Sequence, residues 1–113
     1  MKKLKFSHQY YKLQQLEKGA VITTIRRQLH NRHIGQIVDV CLKYTHLCYA
    51  KIIDIQKKPL YEISTDLLIK DTAPFAKNRT EAIALLNTFY KNPLRETETL
   101  FILYLQKTEV ITL

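Results

Sequence analysis

A short stretch of the chain, from Gly19 to Arg27, concentrates the residues best suited to hold an anion. Thr24 and Arg26 are two positions apart, and alternate residues of a strand share a face. We therefore expect both side chains on one face, with Arg27 pointing to the rim or the outside. Arginine can form paired hydrogen bonds with a phosphate or a base edge. The same letters also fit an ordinary strand with an exposed edge charge, because threonine is strand-prone.

Basic residues flank this stretch, and aromatic residues are interspersed among them. A glycine lets the chain turn from a helix into a strand with positive φ, which is the role we predict for Gly19. Three tyrosines, at positions 10, 11 and 44, are candidates for stacking on unpaired bases, with ordinary packing as the alternative. Lys58 is a candidate rim contact. The predicted ligand-binding residues are Lys18, Gly19, Thr24, Arg26, Arg27 and Arg32.

The charge of the chain is uneven. Its 113 residues carry a net +8, and residues 1–60 hold 12 Lys and Arg against 3 Asp and Glu, a net +9. Residues 61–113 hold 6 against 7, a net −1. A one-sided basic surface attracts polyanions, so a polyanion is the predicted partner.

Length and hydropathy favour one soluble domain, spanning residues 1–113. No apolar run reaches the roughly 18 residues of a membrane helix, and no signal-peptide core follows the basic first residues. We expect a cytoplasmic protein without a membrane partner. The sequence does not indicate an oligomeric state.

The two cysteines offer little for a metal or a disulfide framework. Cys41, His46 and Cys48 supply at most three donors, so we expect no metal and no cofactor. A hairpin turn at Tyr44–Thr45 would place Cys41 opposite Cys48. We expect both to remain free thiols, as in a reducing compartment.

The elements that position these residues follow from hydrophobic periodicity. We predict strands in "VITTIR", "QIVDVCLK", "LCYAKIIDI" and "LFILYLQ", with "KLKF" as a short edge strand. Helices are predicted in "HQYYKLQQLEKG", in the short "TDLLIKD" and at residues 79–91, the last capped by Asn78. The fold class is α+β, a small mixed β-barrel with two to three short helices. The tail, residues 108–113, would close the barrel or pair with another chain.

In this order of elements, over about residues 4–107, the chain resembles an ASCH domain of the PUA-like superfamily. The family motif G-x-K-x-x-T-x-R is met here by Gly19, Thr24 and Arg26, with Val21 at the lysine position. The resemblance implies a PUA-like barrel and a charged cleft, lined by the face of Thr24 and Arg26. It also implies that the cleft suits RNA or a nucleotide-like ligand.

The resemblance brings an enzymatic alternative as well. Some ASCH proteins are amidohydrolases of N4-acylated cytidines that use a lysine, a threonine and a glutamate, and others are ribonucleases. Thr24 matches the threonine, but Val21 replaces the lysine and no acid stands at Ala73–Pro74, where the glutamate is expected. Lys18 and Asp71 are the nearest substitutes in the sequence. This pattern favours a binding protein over an enzyme.

A ribonuclease would need a general base, and the basic connection "LHNRH" offers His30 and His33. Histidine titrates in a suitable range. No second acid or base accompanies either residue in sequence, so ordinary exposure to solvent is the competing interpretation.

Overall fold

The computed structural model describes residues 1–109, and regular elements follow one another through this part of the chain. The strands are β1 (Lys3–Phe6), β2 (Ile22–Arg26), β3 (Ile37–Leu42), β4 (Thr45–Pro59) and β5 (Thr99–Thr108). The helices are α1 (Tyr11–Glu17), α2 (Thr65–Thr72) and α3 (Arg79–Asn87), and a 3₁₀ turn at Leu60–Glu62 follows β4. The predicted tail at residues 108–113 lies, beyond Glu109, outside the described residues.

The five strands form one curled sheet in the order β1-β3-β4-β5-β2. β1 runs parallel to β3, and all other neighbours are antiparallel. β1 and β2 are the two edges, so the sheet forms half a barrel with an open side. The prediction of a small α+β fold with short helices is confirmed at this level. β5 lies between β4 and β2, the central place that its apolar composition predicts.

Both faces of β5 are buried, and each faces a different core. Leu103 and Leu105 point into a core that α1 helps to cover, whereas Leu100 and Ile102 point into a core formed with α2 and α3. This explains why the strand reads as apolar without alternation. Within residues 1–109 no helix has both the length and the apolar character needed to cross a membrane.

α3 begins as the sequence predicts but ends earlier. The Asn78 side chain accepts a hydrogen bond from the Glu81 N–H at 2.8 Å, whereas the Glu81 carboxylate reaches Lys77 N at 3.1 Å rather than the cap residue. The helix ends at Asn87, not at residue 91. Tighter backbone bonds replace the helical pattern there, including Tyr90 N to Asn87 O at 3.2 Å. This turn directs Tyr90 toward β2.

The hairpin between β3 and β4 turns at Lys43 and Tyr44, so the predicted turn at Tyr44–Thr45 is wrong. Lys43 adopts a positive φ of 56°, and its N–H donates to the Phe6 carbonyl of β1 at 2.7 Å. That bond from the neighbouring strand fixes the end of β3, an influence that the local sequence does not contain.

The prediction that Cys41 lies opposite Cys48 on the adjacent strand is also wrong. Because the turn lies at Lys43 and Tyr44, Cys41 lies opposite His46, and a β-bulge between Val40 and Cys41 then places Val40 opposite Cys48. Both cysteines are buried free thiols. Burial raises the pKa of each thiol, which lowers its reactivity.

Candidate functional site

A cleft of about 620 Å³ opens where the two edge strands fail to meet. It lies between β1 and β2, and the chain that follows α3 forms its far wall. We call it the cleft throughout. Its charged and hydroxyl groups include Lys5, Lys12, Thr24, Arg26, Arg27 and Asp71.

Thr24 and Arg26 form the floor of the cleft, on one face of β2 as alternation along the strand predicts. The Arg26 Nε donates to the Thr24 hydroxyl at 3.0 Å, and its Nη2 donates to the Lys5 carbonyl at 3.2 Å. The guanidinium carbon also lies 5.1 Å from the centre of the Phe6 ring. Arg26 therefore spans the gap from β2 to β1.

Arginine side chains, and not a neighbouring strand, donate hydrogen bonds to the backbone carbonyls on the outer edge of β1. Arg26 takes the Lys5 carbonyl, and the Arg32 Nη2 donates to the Lys3 carbonyl at 2.9 Å. Successive carbonyls of a strand point to opposite sides, so residues 3 and 5 present theirs on the same edge. The two arginines thus bind the carbonyls that would accept hydrogen bonds from another strand paired to this edge of β1.

A buried ion pair closes the inner end of the cleft. The Lys12 Nζ lies 3.0 Å from the Asp71 Oδ1, and the two side chains are only 5% and 4% exposed. The same Asp71 oxygen accepts the Thr23 hydroxyl at 3.0 Å, while Lys12 also donates to the Thr23 carbonyl at 2.9 Å. Burial lowers the pKa of Lys12, and the Asp71 charge partly opposes that shift.

Aromatic rings surround this ion pair and extend to the mouth of the cleft. The Lys12 Nζ lies 5.2 Å and 4.9 Å from the ring centres of Phe6 and Tyr10. The Tyr10 ring packs edge-on against Phe75, which is half exposed, and Phe89 at the cleft wall is 42% exposed. Burial, followed by the Asp71 charge, raises the pKa of Tyr10 to about 12. Tyr10 is therefore neutral at ordinary pH.

Arg26 carries a charge that no carboxylate within residues 1–109 balances directly. Its hydrogen-bond acceptors are a hydroxyl and a carbonyl, and Asp71 is already paired with Lys12. Burial lowers the pKa of Arg26, and the charge of Arg32 lowers it further. Arg32 likewise donates to a carbonyl, and its buried Nε has no partner among the described residues. No carboxylate among the described residues forms an ion pair with either arginine, and the charge of Asp71 only partly opposes the lowering of the Arg26 pKa.

Arg27 differs from its neighbour because its charge is paired. Its guanidinium binds the Glu98 carboxylate with two nitrogens and donates to the Asn92 carbonyl at 2.6 Å. It also lies over the Tyr90 ring, 5.2 Å from the ring centre. Arg27 thus joins β2 to the chain after α3, at the wall of the cleft.

The other sequence-predicted residues are dispersed. Lys18 ends α1 in an exposed position, and Gly19 follows it with φ +97°, the turn conformation expected of it. Neither residue lines the cleft. Arg32 lies next to the cleft, where it donates to the Lys3 carbonyl of β1 and its charge lowers the pKa of Arg26. Lys58 lies in β4, away from the cleft.

The aromatic and histidine candidates also separate. Tyr10 is buried at the cleft wall, Tyr11 is 57% exposed on α1, and Tyr44 is 94% exposed at the β3–β4 turn. His30 lines the cleft and His33 does not.

Lys12 is the principal site residue that sequence reasoning misses. It precedes Leu16 by four residues, and residues so spaced on a helix share a face, so a lysine on the buried stripe of α1 was a usable signal. Phe89 and Tyr90 reach the cleft wall because α3 ends at Asn87, before these two residues. No sequence pattern indicated this early end of the helix. Among residues 1–109, no group of three or more His, Cys, Asp or Glu side chains is arranged to hold a metal ion.

Compared with protein-family models, with curated proteins and with solved structures, the chain gives no match.

Proposed function

We propose that this protein is a cytoplasmic ASCH-like, PUA-like domain that binds RNA or a nucleotide-like anion in the cleft. The observation that carries the proposal is the unpaired charge of Arg26, with Arg32 beside it. Withdrawing a charged group from water costs several kcal/mol unless an opposite charge accompanies it. A bound phosphate would supply that charge at the floor of the cleft.

The walls favour a nucleotide over a small inorganic anion. A volume of about 620 Å³ lies within the range of ligand sites, roughly 300–1,000 Å³. Among the aromatic residues that line the cleft, Phe89 is 42% exposed and offers a ring face beside the cationic floor, Tyr90 is half-buried, and Phe6 and Tyr10 are buried. Proteins recognise unpaired bases by stacking them on such rings while arginine contacts phosphate.

The test compares the two adjacent arginines. In a salt titration with labelled single-stranded RNA, Arg26→Ala should weaken binding by roughly 1–3 kcal/mol, the value of a bidentate contact. Arg27→Ala should affect binding less, because Glu98 already occupies its guanidinium. Arg26→Lys keeps the charge but loses the paired donors of the guanidinium, so its affinity for the RNA should lie between those of wild type and Arg26→Ala.

The opposite ranking, with Arg27→Ala deficient and Arg26→Ala normal, would contradict the assignment of the two faces. Binding that neither arginine affects and that does not fall with salt would refute the proposal as a whole. Circular dichroism of each variant separates lost binding from lost folding.

A second candidate, an amidohydrolase of N4-acylated cytidines, is favoured by one observation. The cleft is lined by Thr24 and by the Lys12–Asp71 pair, so a hydroxyl, a lysine and an acid share one site, although the hydroxyl that contacts Asp71 is that of Thr23. The lysine comes from α1 and not from Val21, which is 44% exposed and lies outside the cleft. The ribonuclease alternative has only His30 in the cleft.

The contacts argue for binding ahead of hydrolysis. The Thr24 hydroxyl accepts from Arg26, and Lys12 donates to Asp71 and to a carbonyl, so neither contact removes a proton from Thr24. Incubation with N4-acetylcytidine should release no cytidine. Release that Thr24→Val and Lys12→Met both abolish would establish the second candidate, and cleavage of the labelled RNA that His30→Ala abolishes would establish the ribonuclease.

A further inference from the structure

We propose that the ligand is single-stranded RNA several nucleotides long, which leaves the cleft across β1 and continues over the outer face of β1, β3 and β4. This inference rests on the proposed function and extends it. It distinguishes a strand of RNA from a free nucleotide, which would need the cleft alone.

The register of the strands brings a defined set of side chains onto that face. Lys3, Asp39 and Tyr49 form one row across the three strands. Lys5, Cys41 and His46 form the adjacent row. Lys51 of β4 lies two residues beyond Tyr49 and therefore on the same side. The outer face is defined here as Lys3, Lys5, Asp39, His46, Tyr49 and Lys51.

Among residues 1–109, the helices cover other surfaces. The alternate residues of the same strands, such as Leu4, Val40 and Ala50, point into the core that α1 helps to cover. α2 and α3 enclose the second core, which contains β2 and β5 residues. The three lysines of the outer face are exposed. The register also places Ile37 and the buried Cys41 on this side, but no described helix covers it and most of its side chains are polar.

The charge of the outer face complements a phosphate backbone. Three lysines oppose a single carboxylate, Asp39, and that carboxylate already contacts the His46 Nδ1 at 2.5 Å. The rings of His46 and Tyr49 lie 4.7 Å apart, centre to centre. Lysines that follow a backbone and rings that accept base faces are the two components of a single-strand binding surface. A duplex would keep its base faces stacked internally and could not use the rings.

Lys5 connects the outer face to the cleft. Its backbone carbonyl accepts from Arg26 in the cleft, and its side-chain Nζ lies 5.8 Å from the centre of the Tyr44 ring. Tyr44 is 94% exposed at the β3–β4 turn, so its ring is open to solvent and can accept the face of a base. Two strand spacings, about 10 Å, separate β1 from β4. A strand of RNA emerging past Lys5 would therefore meet Tyr44 and then the outer face.

The experiment measures the affinity of the full chain for uridine 5′-monophosphate and for oligouridylates of up to about ten nucleotides. Affinity should rise with length and level off after at least about four nucleotides. Tyr44→Ala and Lys51→Glu should each weaken the longest oligonucleotide by roughly fivefold or more. Both should leave the affinity for the monophosphate unchanged. Lys77→Glu, the same charge change in the exposed α2–α3 loop, is the matched control and should change little.

Each failure points to a different step. If Lys51→Glu, Tyr44→Ala and Lys77→Glu bind the long oligonucleotide equally well, or if a duplex of the same length binds as tightly, the outer-face proposal is overturned while the cleft stands. Suppose that Arg26→Ala leaves the affinities for the monophosphate and the oligonucleotides unchanged, or that none of these ligands binds to wild type. Either result refutes the proposed function, and with it the outer-face proposal. Tyr44 is exposed enough that its loss cannot be attributed to unfolding.

Discussion

Separating the Lys12–Asp71 pair should cost more stability than removing it. Lys12→Met leaves the Asp71 carboxylate buried at 4% exposure, and the Thr23 hydroxyl is then its only partner among residues 1–109. Breaking a buried pair in this way typically costs about 3–5 kcal/mol. The double variant Lys12→Met, Asp71→Leu leaves no buried charge and should lose less than either single variant.

The titration of Lys12 gives the Asp71→Leu penalty a pH dependence. In Asp71→Leu, burial lowers the pKa of Lys12 below its unfolded value, so that variant should gain stability as the pH rises from 7 toward 10.

Urea unfolding of the four proteins at pH 5, 7 and 9, followed by circular dichroism, measures these differences as a double-mutant cycle. The reasoning is refuted if the double variant is less stable than both single variants. It is refuted equally if the stability of Asp71→Leu does not rise between pH 7 and pH 9. Lys70→Met, which removes an exposed lysine of α2 next to Asp71, is the control and should stay within about 0.5 kcal/mol of wild type.

Three further outcomes follow from single contacts. The pKa of Tyr10 is about 12 in the folded protein and about 10 in the unfolded chain, so the free energy of unfolding should fall as the pH rises from 10 toward 12. Tyr10→Phe should remove this loss of stability. The same variant should remove the last step of a tyrosinate absorbance titration. Asn78→Ala should cost about 1 kcal/mol in urea unfolding because the Glu81 N–H loses its acceptor, whereas Asn78→Ser should retain most of that stability. Cys41 and Cys48 should react with a thiol reagent far more slowly in the native protein than in urea, and equal rates would contradict their burial.

Much of the architecture was predictable because its causes are local. The alternating and continuous apolar runs define the strands, and Asn78 marks the start of α3. The glycine at position 19 turns the chain between α1 and β2 with the positive φ that its sequence position indicates. Thr24 and Arg26 share a face for the same local reason, the period of two in a strand.

The composition of the cleft was less predictable because its contacts join distant parts of the chain. Asp71 meets Lys12 across 59 positions, and Arg27 meets Glu98 across 71. No motif encodes those separations. The hairpin register failed for a similar reason, since a bond from β1 decides where β3 ends. Predicting such contacts requires the packing of the helices against the sheet, which periodicity alone does not determine.

The open side of the sheet and the charge of the cleft have a common cause. In a closed barrel, β1 and β2 would exchange backbone hydrogen bonds, and the outward carbonyls of Lys3, Lys5 and Thr23 would face N–H groups. Here Arg32, Arg26 and Lys12 take those carbonyls instead. Three cations thus occupy the place of a strand pairing, and Asp71 balances only one of them.

This arrangement holds the edges apart at an electrostatic cost that a bound anion would relieve. Replacing Arg26 by a methionine should therefore remove the unfavourable charge without removing the core, leaving the fold as stable or more stable while RNA binding is lost. Conversely, the anion should stabilise the native chain through mass action, by about 2.7 kcal/mol at one hundred times its dissociation constant. Thermal unfolding with and without RNA, in wild type and Arg26→Met, measures both effects. A stabilisation by RNA that persists in Arg26→Met would show that the anion binds elsewhere on the molecule.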